Sequence, residues 1–172
     1  MLIAIDGYNF IKQSPGLRRL EQIELQKARE GLIERLAKYK RLKGHAITVV
    51  FDGGPQGTLA AYRERSRGIE IIFSKPGEKA DDVLKRLSAE KRGGITVVTS
   101  DRDVALFAKK RGAMAIPVSE FSEKMEMAQV HAWKGTESET LSANRSVAPV
   151  KKGPSYRLSK SHRKAAAAAK KL

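Results

Sequence analysis

Residues 1–9 read MLIAIDGYN, and the apolar run Leu2–Ile5, stopped by Asp6-Gly7, marks a buried strand at the very start. A strand with one wet face would alternate polar and apolar residues; an unbroken run belongs to a sheet covered on both sides. The pattern recurs down the chain. Ala46–Phe51 (AITVVF) stops at Asp52-Gly53-Gly54-Pro55, Ile69–Phe73 gives way to Lys75-Pro76-Gly77, and Ile95–Thr99 (ITVVT) ends at Ser100-Asp101. Ala113–Val118 reads as a fifth, shorter strand, and Tyr62–Arg67 as a basic connector.

Helical spacing fills the gaps between these runs. From Gln22 to Lys43, Leu25, Ala28, Leu32, Leu36 and Tyr39 recur every three or four residues, with Gly44 as the terminator. A shorter helix over Glu78–Lys91 turns Val83, Leu84 and Leu87 inward, and Ser100-Asp101 caps a helix that runs to Gly112. Glu120–Val130 is a last helical stretch. Strands alternating with helices predict an α/β chain built on a mostly parallel central sheet.

Composition narrows the class. Among 172 residues there are 34 Lys plus Arg against 19 acids, a net charge of +15, and the pI is near 10.2. A chain this basic points to nucleic acid, with solubility or anionic lipid as the alternative readings of the same charge. Cysteine is absent, which removes disulfides, thiolate zinc sites and cysteine nucleophiles together, and suits a reducing cytoplasm. The first residues carry no secretory pattern, and no apolar run approaches the roughly 20 residues of a membrane span. Past Trp133 the periodicity dissolves. Thr136–Pro154 reads as linker, and Ser161–Leu172 holds five alanines flanked by lysines. The expected division is a folded domain over residues 1–133 and a basic extension over 134–172. Ten Lys/Arg and two Glu give that extension +8 and leave +7 on the domain.

The acids fall where a parallel sheet binds its ligands. Asp6, Asp52 and Asp101 follow strands, and Asp81 and Asp82 open the helix after the third predicted strand, so all start near the carboxyl edge. A lone Asp after a strand is more often a turn former or helix cap. Several at one edge repel each other and raise each other's pKa unless a cation neutralises them. Oxygen-only donors without cysteine suit Mg²⁺ or Mn²⁺. Such an ion polarises a phosphodiester and lowers the pKa of a bound water. Arg63, Arg65, Arg67 and Lys75 are expected at the same edge to draw in a phosphate backbone, with Tyr8 or Tyr62 stacking on a base. An ordinary solvated charge is the competing account of each.

Four motifs in order, Asp6-Gly7-Tyr8-Asn9, Phe51-Asp52-Gly53, Ala80-Asp81-Asp82 and Thr99-Ser100-Asp101, resemble the NYN domain in its YacP-like branch, a relative of the PIN-domain nucleases, over about residues 1–130. The resemblance implies a PIN-like three-layer α/β sandwich and metal-dependent cleavage of single-stranded RNA, including mRNA on the ribosome. It places Asp6, Asp81 and Asp101 in the acidic core and Asn9 beside a liganding carboxylate or the scissile phosphate. Ser100 matches the small hydroxyl before the third acid. Asp82 stands in reserve for Asp81, because neighbouring helical residues point about 100° apart. Asp52 and Asp103 are further candidate ligands.

Other readings of the first motif are weaker. A haloacid-dehalogenase-type phosphatase wants a second Asp where Tyr8 stands, a receiver domain wants paired acids after the first strand, and no Gly-x-Gly-x-x-Gly marks a dinucleotide site. His45, His131 and His162 show no ligand spacing. A non-catalytic RNA- or ribosome-binding module of the same fold remains the rival. In either case Lys151, Lys152, Arg157, Lys160, Arg163, Lys164, Lys170 and Lys171 are expected to contact RNA or merely to solubilise the tail.

Overall fold

The computed structural model describes residues 1–53, 62–91 and 93–143. Six strands form one sheet in the order β3-β4-β2-β1-β5-β6. They are β1 (Leu2–Asp6), β2 (Ala46–Phe51), β3 (Tyr62–Ser66), β4 (Ile69–Phe73), β5 (Ile95–Val98) and β6 (Met114–Ile116). All neighbouring pairs are parallel except β3 with β4. The helices are α1 (Gly7–Gln13), α2 (Pro15–Ile23), α3 (Leu25–Lys43), α4 (Ala80–Lys91), α5 (Arg102–Lys110) and α6 (Val118–Ala143). Among the described residues no helix is long and apolar enough to cross a membrane.

The period of two along each strand divides the core into two layers. Ile3 and Ile5 of β1, Ile47, Val49 and Phe51 of β2, and Ile69, Ile71 and Phe73 of β4 face one way, against Phe10, Leu17, Leu32, Leu36 and Phe121 of α1, α2, α3 and α6. Ala4, Val50, Ile72 and Val97 face the other way, against Val83, Leu84 and Leu87 of α4 and Val104 and Ala108 of α5. The result is the expected three-layer sandwich. By Cα packing the chain divides into Met1–Thr136 and Glu137–Leu172.

Several local expectations are corrected. The helix expected to open at Gln22 opens at Leu25, because Glu24 is extended (φ −161°) and separates it from α2. The helices α1 and α2 have no counterpart among the expected elements, although Ser14-Pro15 is an N-cap followed by Pro at the first helical position. Gly44 does end α3, in the left-handed conformation (φ 70°) with its N–H on Lys40 O at 2.8 Å. Tyr62–Ser66 is an edge strand rather than a connector. It turns into β4 through Arg67 and Gly68, both at positive φ (51° and 80°), the signature of a two-residue hairpin that matches strand twist. The linker expected from Thr136 is helical as far as Ala143, and Lys151 to Lys171 lie outside the described residues.

Candidate active site

β1 runs into α1 without a loop, so Asp6 is at once the end of the central strand and the N-cap of a helix. Its Oδ1 accepts the Asn9 N–H at 3.0 Å. Asp101 does the same job for α5, accepting from Asp103 N at 2.8 Å and Val104 N at 3.0 Å. Asp52 reaches across from the end of β2 to accept the N–H of Ala80, the first residue of α4. The exposed Asp82 bonds back to Lys79 N at 3.3 Å, closing the start of that helix like the acid of a capping box. The bland reading of strand-end acids as helix caps is therefore correct for Asp6, Asp52 and Asp101. It is incomplete, because the three caps converge on one edge.

That convergence is visible in their charges. Burial pushes the Asp6 carboxyl above the usual aspartate range, the Asn9 backbone N–H pulls it back, and repulsion from Asp81 and Asp52 adds to the rise. Burial also raises Asp81, followed by repulsion from Asp101 and Asp52; Lys85 offsets part of this, and Asp82 adds a little. Asp81 is thus the member of its pair that faces the cluster. Asp103 lies exposed in the first turn of α5 and is not among the charges acting on either acid. Among the described residues no ion pair neutralises Asp6, Asp52, Asp81 or Asp101. Nor do any three His, Asp or Glu side chains there close into a ready-made ligand group.

A polar network missed in the sequence holds the edge together. Asn9 Nδ2 donates to Thr99 Oγ1 at 3.3 Å, and Thr99 Oγ1 also accepts the Asp101 N–H at 3.1 Å. Gln13 Nε2 donates to Asn9 Oδ1, while the Ser100 hydroxyl donates to Gln13 Oε1 at 3.0 Å. The buried Thr99 hydroxyl thereby locks the Asp6 and Asp101 segments together. Thr99→Val, isosteric but without the hydroxyl, is expected to cost about 1–3 kcal/mol in chemical denaturation.

The expected nucleic-acid residues scatter. Tyr62 pairs with Phe73 in register, so it sits at the carboxyl edge of the sheet, 38% exposed and with its ring 6.0 Å from Phe73. Lys75 is exposed just beyond β4, near the same edge. Arg63 lies one residue along and is paired with Glu70 at 3.4 Å. Arg65 and Arg67 are displaced from the expected edge: β3 runs antiparallel, so each residue carries the chain about 3.4 Å further from it. Tyr8 does not present a free ring. It packs on Phe51 at 5.0 Å, and its hydroxyl accepts from Arg29. The Arg29 guanidinium lies within 5.3–5.5 Å of the Tyr8, Phe51 and Phe73 rings, a cluster no local spacing announces.

A mostly parallel sheet with helices on both faces and acids gathered at its carboxyl edge is the arrangement expected of a PIN-like domain. The YacP-like NYN domain family model matches residues 3–165, and the chain belongs to that family. The match reaches into the basic extension, well past the residue-130 limit expected from the motifs. Protein YacP of Bacillus subtilis (strain 168), described as uncharacterized, is 33% identical over 87 residues, covering 51% of this chain and 51% of that protein. The chain therefore spans about half the length of that relative. Crystal structures of Rae1 (YacP) from Bacillus subtilis are similar as well. One, of a tryptophan-to-leucine mutant, superposes with a TM-score of 0.67 at 25% identity, over 88% of this chain and 87% of that one. The second has a TM-score of 0.65 at 28% identity, over 83% of each. The NYN domain family is itself part of a PIN-like nuclease superfamily.

Proposed function

We propose that the chain is a divalent-metal-dependent endoribonuclease acting on single-stranded RNA, with mRNA on the ribosome as the substrate its family resemblance suggests. The observation that carries this is the gathering of Asp6, Asp52, Asp81 and Asp101 at one sheet edge of a protein with net charge +15, where Asp52 and Asp81 raise Asp6 and Asp52 and Asp101 raise Asp81. A pure RNA binder gains nothing from acids placed there.

The donor chemistry fits a small hydrated cation. Asp6, Asp52 and Asp101 each commit Oδ1 to a backbone N–H at a helix start, which leaves the other oxygen for an ion or its waters. Mg²⁺ keeps several waters and takes only one or two carboxylates directly, so no group of three close ligands is needed. Asp6, Asp81 and Asp101 would hold the ion, with Asp52 behind them. When bound, it supplies Lewis-acid polarisation of the phosphodiester and an acidified water. The chain's own part is to hold the acids in place through Asn9, Thr99 and Gln13 and to orient the phosphate.

The raised Asp6 and Asp81 carboxyls set a sign. The folded chain binds these protons more tightly than the unfolded chain does. Stability of the metal-free protein therefore falls as pH rises through their raised titration range, and a cation restores it above that range. Thermal melting near neutral pH is expected to show a higher Tm with Mg²⁺ or Mn²⁺. Asp81→Asn should melt higher than metal-free wild type and gain less from the ion. An unchanged wild-type Tm would remove the metal from the proposal. The activity test is cleavage of a labelled single-stranded RNA that stops in EDTA; binding without cleavage would favour the non-catalytic module.

A further inference from the structure

The elbow between α1 and α2 encloses a cleft of about 390 Å³ lined by Lys12, Gln13, Pro15, Arg18, Arg19 and Gln22. Three features set it apart. It holds three cations and no acid, and the sequence from Phe10 to Leu20 contains no Asp or Glu. Its cations are exposed, and among the described residues none forms an ion pair. It also begins at the acid cluster, because Gln13 in its wall is the residue bonded to both Asn9 and Ser100.

The larger cleft of about 540 Å³ between α3 and the β3–β4 hairpin lacks this character. Its Lys27, Arg29 and Arg67 are balanced by Glu30, Glu34 and Glu64. A polyanion crossing an acidic edge needs positive charge immediately beside that edge, and the hairpin expected to supply it carries Arg65 and Arg67 away. The α1–α2 elbow supplies it instead.

We propose that this cleft binds the phosphate backbone of single-stranded RNA next to the position of cleavage, with Lys12, Arg18 and Arg19 each meeting a phosphate. The inference rests on the ribonuclease reading for its substrate but is tested apart from it. Arg18 and Gln22 lie one helical turn apart on α2, so an arginine and an amide line the same wall. Charge of this kind binds without sequence preference, by releasing counterions from the strand.

The test is fluorescence anisotropy of a labelled single-stranded RNA in EDTA, where no cleavage intervenes. The triple variant Lys12→Gln, Arg18→Gln, Arg19→Gln is compared with a control triple, Arg41→Gln, Lys43→Gln, Lys109→Gln, which removes equal charge from helix ends at the opposite edge of the sheet. The first should lose about tenfold or more in affinity at moderate salt, and its log–log salt slope should shrink by about 2. The control should stay within about threefold of wild type. Equal losses in both triples, an unchanged first triple, or no RNA binding by wild type would overturn the inference. If the affinity pattern holds while wild type cuts no RNA, the cleft stands and the ribonuclease reading falls. If wild type cuts and the first triple binds as well as wild type, the cleft alone falls.

Discussion

Asp101→Asn is expected to lower divalent-dependent RNA cleavage by about 10²–10³-fold, a barrier increase of about 3–4 kcal/mol, while leaving RNA affinity and Tm nearly unchanged. The substitution separates the two duties of this side chain. As the cap of α5, Asp101 uses Oδ1 to accept from Asp103 N and Val104 N. Asparagine keeps that oxygen and ranks with aspartate as a cap. As a member of the acidic cluster, Asp101 supplies negative charge, which asparagine lacks. Asp101→Ala would remove both and confuse a structural loss of about 1 kcal/mol with a catalytic one. Single-turnover rates, RNA affinity in EDTA and thermal melting together decide the matter. Cleavage unchanged in Asp101→Asn would take the residue out of the site.

Gly7→Ala should damage both the stability of the fold and the acid cluster beside it. In a helix, exchanging Gly for Ala normally gains up to about 1 kcal/mol, and propensity alone would predict a more stable protein. The geometry reverses the sign. A Cβ at Gly7 would lie 2.3 Å from Phe51 Cε1 and 2.6 Å from Cδ1. That ring is 1% exposed, stacked on Phe73 at 5.6 Å and flanked by Tyr8 at 5.0 Å and Arg29 at 5.5 Å. It cannot step aside without moving the cluster. Overpacking of this kind costs about 1–3 kcal/mol, a fall in Tm of several degrees for a domain of this size. Because Gly7 follows Asp6 directly, the displaced α1 should carry Asp6 and Asn9 with it, so cleavage falls as well. Gly7→Ala combined with Phe51→Leu should recover part of the α1 position. A Gly7→Ala protein as stable and active as wild type would contradict the packing account.

What the sequence displayed and what it hid follow one physical division. Strands β1, β2, β4 and β5 are buried on both faces, so their continuous apolar runs stand out, and the acids at their ends are legible with them. The edge strand β3 is almost wholly exposed over Tyr62–Ser66. It carries no apolar period and reads as a connector, which misplaced Arg65 and Arg67. The helix α1 has only seven residues, too few for a recognisable stripe, so the Lys12–Arg18–Arg19 cleft was missed with it. Asp6, Asp52 and Asp101 were found because a carboxylate after a strand is a local signal. Thr99, Gln13 and Arg29 were not, because their roles depend on partners far along the chain. The Asn9–Thr99 bond, for example, joins residues 90 positions apart.

The place of β1 in the sheet also bears on when the acid cluster comes into being during synthesis. β1 is made first, yet it pairs on one side with β2, where Ile3 meets Ile47, and on the other with β5, where Ile3 meets Thr96. A nascent chain holding only β1, α1–α3 and β2 has Asp6 and Asp52 in hand, but lacks Asp81, the Thr99 hydroxyl that locks Asn9, and Asp101. Contacts of such long sequence separation close slowly and late. The acidic edge therefore assembles only after residues through Asp101 have left the ribosome, and a product truncated before β5 lacks both Asp101 and the Thr99 hydroxyl.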